Sequence, residues 1–158
     1  MAIIGGGPSG LLLSQILMRQ NIETIIIEAQ SREYVLKRIR AGVLEHGSVE
    51  LLQNAGVGER IITDGIKHDG FLISSENESF RIDLSSATGK SVYVYGQTEV
   101  TIDLYKAQDK MKATIFHCVK MLIYLISILP NQRYNLIAQK KIMKLHVITL
   151  QVAMDQWE

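Results

Sequence analysis

The sequence predicts an α/β fold in which a strand–turn–helix–strand unit is interrupted by an antiparallel β layer, and three observations carry that prediction. The first is the opening stretch AIIGGGPSG (Ala2 to Gly10), where a short apolar segment meets Gly5, Gly7 and Gly10, spaced G-x-G-x-x-G, and continues into LLLSQILMRQ. The second is ETIII at Glu23–Ile27, a buried-strand pattern ended by Glu28, eighteen positions beyond Gly10. The third is a change of period near residue 67, where β-rich segments separated by turn residues replace helical spacing.

In chain order, Met1–Ile4 reads as a first strand. It is shorter than the usual 5 or 6 residues, so the native sheet is expected to begin upstream of Met1. Gly5 allows the tight turn, Gly7 lets a pyrophosphate approach the backbone, and Gly10 lets the helix pack on its strand. Phosphate then rests on the free N–H groups of the helix N-terminus, with the Ser9 hydroxyl as a further donor. Pro8 suits the first turn, where its fixed φ is helical and its missing N–H has no partner to lose. Leu11–Gln20 is the first helix, Asn21 its left-handed terminator, and Ile22–Ile27 the second strand. An acidic residue about 20 positions after the glycines is the acceptor for a dinucleotide's ribose hydroxyls. A glycine fingerprint alone also fits an ordinary tight turn; Glu28 at this spacing favours a dinucleotide-binding βαβ unit over a solvated strand end.

Ala29–Arg40 (AQSREYVLKRIR) is basic and runs directly into Ala41-Gly42. From composition it is a charged surface helix; from its place after the ribose strand, it turns guanidinium groups onto the same pyrophosphate, which Arg binds as a bidentate fork. Val49–Ala55 and Val57–Thr63 read as short helices punctuated by Gly56 and Gly58. Lys67–Ser74, Ser79–Leu84 and Ser91–Tyr95 read as three strands of one antiparallel layer, with turns at Asn77, Gly89 and Lys90. Gln97–Met111 is a helix with Val100, Leu104 and Ala107 on one face, and Ala113–Val119 a strand.

With 158 residues, net charge +1, 47% hydrophobic and 21% charged residues, the composition is that of one globular domain. It carries no basic excess to point to nucleic acid. The single cysteine, Cys118, excludes an internal disulfide framework and gives no metal-site signature. It fits a reducing cytoplasm. Met121–Leu129 is apolar but far short of the about 20 residues a membrane helix needs, and the N-terminus has no signal-peptide pattern. No membrane partner is expected.

Three stretches, IIGGGPSGLLL (Ile3–Leu13), YVLKRIRAGVLE (Tyr34–Glu45) and VYGQTEVT (Val94–Thr101), resemble the N-terminal part of the 4-hydroxybenzoate 3-monooxygenase (p-hydroxybenzoate hydroxylase) family of FAD-dependent aromatic hydroxylases, over about residues 2–119. The last two are far more specific than the glycine motif. The resemblance implies a Rossmann-like FAD-binding βαβ unit of glutathione-reductase type over 1–119, present incompletely, with part of the substrate-domain β layer at about 66–95. It implies that Gly5, Gly7, Ser9 and Gly10 hold the FAD pyrophosphate and Glu28 the adenosine ribose. Arg38 and Arg40, with Ile39 between them, flank the flavin and its phosphates. Ala41, Gly42 and Val43 line the flavin ring, where small residues let it swing, and Gln97 holds FAD from the next segment. His68 matches the outer end of a proton relay for the substrate phenol, a task suited to a group titrating near neutrality; without the resemblance it reads as a surface histidine. Gln30 and Tyr34 match the NADPH neighbourhood, while Ala29 replaces an arginine common there, which leaves NADPH against NADH open. The implied reaction hydroxylates a phenolic acid with NAD(P)H and O2, in a family usually homodimeric. Small nicotinamide dehydrogenases are disfavoured, since no Tyr-x-x-x-Lys pair follows; a non-catalytic FAD- or nucleotide-binding remnant is the other reading.

After Val119–Lys120 the match ends, and 120–158 reads like none of the family. Codons permitted for His146–Glu158, read from a start two nucleotides later, spell CDYIAGCDGSMG, against CDYIAGCDGFHG in the family's second nucleotide motif. A frameshift is therefore expected, the other reading being a genuine divergent tail that forms a strand and a helix. A frameshifted tail was never selected as protein and has no reason to fold cooperatively.

Overall fold

The computed structural model describes residues 1–120, 132–138, 141–147 and 150–152. In chain order the elements are β1 (Ala2–Ile4), α1 (Pro8–Arg19), β2 (Ile25–Ile27), α2 (Arg32–Lys37), β3 (Val43–Leu44) and α3 (His46–Asn54). Next come α4 (Glu59–Thr63), β4 (Ile66–His68), β5 (Gly70–Ser75), β6 (Glu78–Asp83), α5 (Leu84–Thr88) and β7 (Val92–Val94). They are followed by α6 (Gln97–Lys110), β8 (Thr114–Phe116), β9 (Val119–Lys120), β10 (Gln132–Ala138), β11 (Lys141–Val147) and β12 (Leu150–Val152). The chain divides into two compact units: Met1–Ile39 with the described residues from Thr101 onward, and Arg40–Val100.

The first unit is built on a parallel sheet in the order β12-β1-β2-β8. Ile3 and Ile26 face each other across the β1–β2 ladder and are wholly buried, as are Leu11 of α1 and Leu104 of α6. Each such side chain contributes about 2 to 3 kcal/mol by leaving water. The first helix begins at Pro8 and not at the expected Leu11, because proline at its first position already has helical φ. It ends as expected at Asn21, which takes φ 61° and donates its N–H to the Met18 carbonyl. Ile22 donates its own N–H to the Leu17 carbonyl, so the helix end consumes it and β2 is confined to Ile25–Ile27, against the expected Ile22–Ile27.

The expected strand Ala113–Val119 is two strands, broken where Cys118 takes φ 58°. There the Cys118 N–H donates to the Gln30 carbonyl and the Val119 N–H to the Glu28 carbonyl. A second sheet, β11-β10-β9, is antiparallel. Of the expected frameshifted tail, residues 121–131, 139–140, 148–149 and 153–158 lie outside the described residues, and with them the apolar run Met121–Leu129. The described pieces of the tail are strands, β12 pairing Leu150 with Ala2 and Val152 with Ile4.

In the second unit, the single three-stranded layer is corrected to two antiparallel sheets, β3-β7-β4 and β5-β6. The segment Lys67–Ser74 divides at Asp69. The Asp69 carbonyl accepts the Ser85 N–H at 3.0 Å, and its carboxylate accepts the Ser91 hydroxyl at 2.6 Å. These bonds turn the chain, so β4 pairs with β7 while β5 pairs with β6. The two-residue β3 and the helix α5 were not foreseen; α5 is capped by Asp83, whose carboxylate accepts the Ser86 N–H, and ended by Gly89 at φ 70°. Helix α3 starts at His46 rather than Val49. Val49, Leu52, Ala55, Val57 and Ile61 form the buried face of α3 and α4.

Candidate functional site

The glycine turn in the first unit is closely fitted. Gly5 has φ 106°, a conformation side chains rarely adopt, and its N–H donates to the Ile27 carbonyl, extending the β1–β2 ladder by one bond. A Cβ on Gly10 would lie 2.0 Å from the Gly5 carbonyl oxygen, so helix and strand meet at a distance only glycine permits. Gly7 is the N-cap of α1, and it brings no side chain to the orphan donors of the first turn. Those N–H groups, with the helix dipole behind them, favour an anion. Ser9 is exposed there, and Gly10 is buried.

Glu28 stands beside this turn. One carboxylate oxygen accepts the Gly6 N–H at 2.7 Å and the other accepts the Gln30 N–H at 2.8 Å. A Cβ on Gly6 would lie 3.0 Å from that of Glu28, so the middle glycine of GGG is matched to this approach. An ionised carboxylate accepts about four hydrogen bonds, which leaves room for a ribose diol. The residues present therefore fit a dinucleotide: a capless helix start for its phosphates and an oriented carboxylate next to them.

The remaining sequence-derived residues fall into two groups. Still in the first unit, Gln30 and Tyr34 are exposed, the Tyr34 N–H being capped by the Ser31 hydroxyl at 3.2 Å. Arg38 is the exposed C-cap of α2, and Ile39 is 88% exposed. In the second unit, Arg40 is half-buried, Ala41 and Val43 are exposed, and the Gly42 carbonyl accepts the Tyr95 N–H at 2.7 Å. A Cβ on Gly42 would lie 3.1 Å from Gly96 Cα, so the RIRAG bend and the residue before Gln97 are brought together. Gln97 opens α6. His68 is exposed on β4, opposite Val92 of β7, in the sheet whose far strand holds Val43.

Against this geometry, residues 1–123 match the family model described as FAD binding domain. The chain belongs to the FAD binding domain family. FAD is that family's cofactor. Over 118 residues this FAD binding domain chain is 49% identical to p-hydroxybenzoate hydroxylase of Acinetobacter baylyi, a stretch covering 74% of this chain and 29% of the relative. It is 26% identical over 101 residues to pentachlorophenol 4-monooxygenase of Sphingobium chlorophenolicum, covering 61% of this chain and 18% of that one. The crystal structure of p-nitrophenol 4-monooxygenase from Pseudomonas putida superposes with a TM-score of 0.82 at 17% identity, over 96% of this chain and 39% of that one, a likeness of fold. The chain thus spans less than a third of the length of these sequence relatives. Among the described residues, no helix is long and apolar enough to cross a membrane.

Sequence reasoning missed the support beneath the turn. Tyr105 of α6 is 1% exposed and its hydroxyl donates to the Gly6 carbonyl at 3.2 Å. Arg32 lies 4.5 Å over its ring and is held by Asp109 through two bonds of 3.0 and 2.6 Å. Burial pushes the phenol's pKa well up, which keeps it a hydrogen-bond donor. The Asp109 carboxylate in turn holds the Arg32 guanidinium above its ordinary value. Gln108 is fully buried, donating to the Leu11 carbonyl at 3.1 Å and accepting from the Ser14 hydroxyl at 3.0 Å. Helical spacing sets Tyr105 and Gln108 beside the apolar face marked by Leu104 and Ala107, but nothing local points them to Gly6, Leu11 or Ser14.

Proposed function

We propose that this chain is the N-terminal part of a FAD-dependent monooxygenase hydroxylating a phenolic acid of the 4-hydroxybenzoate kind, with NAD(P)H and O2 as co-substrates. The observation that carries the reading is the contact between Glu28 and the Gly6 N–H, which makes the ribose acceptor and the phosphate turn one site. The matching fold is a Rossmann-like βαβ unit of glutathione-reductase type. FAD, when bound, supplies the redox chemistry. The protein's part is to bind, orient and move a proton. Backbone N–H groups from Gly7, Ser9 and Gly10 carry the diphosphate, and Gly5 shapes the turn. Glu28 accepts the ribose hydroxyls.

Arg38 and Arg40 add positive charge for phosphates and flavin, Ile39 spacing them, and Gln97 holds the cofactor from the start of α6. Ala41, Gly42 and Val43 offer the flavin ring a wall with little bulk. His68 takes the phenolic proton to solvent, which makes the aromatic ring a better nucleophile. Gln30 and Tyr34 serve the nicotinamide cofactor. The full-length protein is read as a cytoplasmic homodimer. Residues 120–158 are read as out of the family's frame, and the nucleotide sequence after the codon for Lys120 tests this: a second frame continuing the family supports it, and its absence overturns it.

Titrating the purified chain with FAD, followed by flavin fluorescence quenching and by 4-hydroxybenzoate-dependent NADPH oxidation, tests the function. Saturable binding is expected, with no turnover by this chain alone, because the groups that grip the substrate carboxylate lie outside the matched stretch. Failure to bind FAD contradicts the cofactor site, and turnover contradicts the second expectation.

A further inference from the structure

Gly5, Gly6 and Gly7 form a run of three glycines, the backbone with the most conformational freedom to lose on ordering. Two of the described side chains pin its middle residue from far along the chain. Glu28 takes the Gly6 N–H at 2.7 Å, fixing the Gly5–Gly6 peptide. Tyr105 donates to the Gly6 carbonyl at 3.2 Å, fixing the Gly6–Gly7 peptide. The described chain has no cis peptide, and across a planar trans peptide the C=O and N–H point in opposite directions. With the Gly6 carbonyl drawn inward to the buried phenol, the Gly7 N–H must point away from it, outward, where Gly7 is half-buried and Ser9 exposed.

We propose that Tyr105 is a positioning residue for the diphosphate site, its hydroxyl setting the Gly6–Gly7 peptide so that the Gly7 N–H faces the ligand. The proposal rests on the reading of the glycine turn as a FAD diphosphate site. Arg32 and Asp109 complete the device. The guanidinium stacked at 4.5 Å covers the phenol ring, and its two bonds to Asp109 on the next turn of α6 keep it there. His117 lies on the ring as well, with centroids 5.8 Å apart. The phenol therefore has one place to sit, and the hydroxyl one carbonyl to serve.

The test is Tyr105→Phe, which keeps the ring and its stacking and removes only the hydroxyl, with Arg32→Ala as a second variant that uncovers the ring from its exposed side. In the full chain, FAD affinity is expected to fall about 5- to 10-fold in Y105F, the range a single neutral hydrogen bond commands, and about 2- to 3-fold in R32A. The amide resonance of Gly7 in the ligand-free protein is expected to shift in Y105F, a readout that general loosening of the core would not confine to the turn. FAD affinity within twofold of wild type together with an unmoved Gly7 amide would overturn the proposal. Should the wild-type chain bind no FAD, the cofactor reading fails by itself. The Gly7 amide then decides the positioning role: a shift in Y105F upholds it, and an unchanged resonance overturns it.

Discussion

Replacing Gly10 by alanine tests the closeness of helix and strand at the turn. The added Cβ would stand 2.0 Å from the Gly5 carbonyl oxygen, 3.1 Å from the Gly5 carbonyl carbon and 3.3 Å from Ile3 Cγ2. An ordinary contact is about 3.5 Å or more, so the start of α1 must retreat by more than 1 Å. Ile3 and Leu11 are wholly buried beside this contact, so the retreat opens the tightest part of the core. Overpacking of this kind costs about 3 kcal/mol, equivalent to a fall in Tm of about 6 to 12 °C for a chain of this size. The control is Gly47→Ala in α3, where an added Cβ meets nothing within 4 Å and alanine's higher helix propensity is expected to raise stability by about 0.5 to 1 kcal/mol. Thermal and urea unfolding of both variants, side by side with the wild type, measures the difference. Equal stability of G10A and G47A would refute the claim that the fingerprint's last glycine is a packing requirement.

Glu28→Ala removes the acceptor of the Gly6 and Gln30 N–H groups and is expected to weaken FAD binding about tenfold or more, read by fluorescence titration. Gln108→Leu removes the buried bonds to the Leu11 carbonyl, the Gln15 side-chain oxygen and the Ser14 hydroxyl, which keeps Thr24, and urea unfolding is expected to show a loss of about 2 to 3 kcal/mol. Asp69 is held below its ordinary carboxylate value, first by the Ser91 hydroxyl and then by the charge of Lys67. The native state thus binds fewer protons, and this contribution is complete above the ordinary value of 3.8 and lost as pH falls through the lowered one. The stability difference between wild type and Ser91→Ala is accordingly expected to narrow when urea unfolding at pH 7 is repeated well below pH 3.8.

What the sequence made legible was local. Gly5, Gly10 and Asn21 each answer a backbone demand set within a few residues, and Glu28 declares itself by its distance from the glycines. The alternation of small and β-rich segments announced antiparallel strands, but not that Asp69 would divide them, because its partners Ser85 and Ser91 lie 16 and 22 positions on. The support under the turn was hidden for the same reason. Tyr105 reaches Gly6 across 99 positions, and Arg32 reaches Asp109 across 77. In the sequence one looks like a core aromatic and the other like one more charge in a basic helix. Gln108 was hidden by type: a glutamine on a helix is ordinarily solvated, and the Ser14 hydroxyl, the Leu11 carbonyl and the Gln15 side-chain oxygen make its burial tolerable.

The most direct test of the central claim, that a diphosphate rests on the N–H groups where β1 turns into α1, is a titration of the isotopically labelled chain with FAD, followed by phosphorus and amide resonances together. The account predicts that the diphosphate signals and the amides of Gly7, Ser9 and Gly10 move along one saturation curve. FAD that binds without moving those amides, or that leaves all of these signals in place, would contradict it.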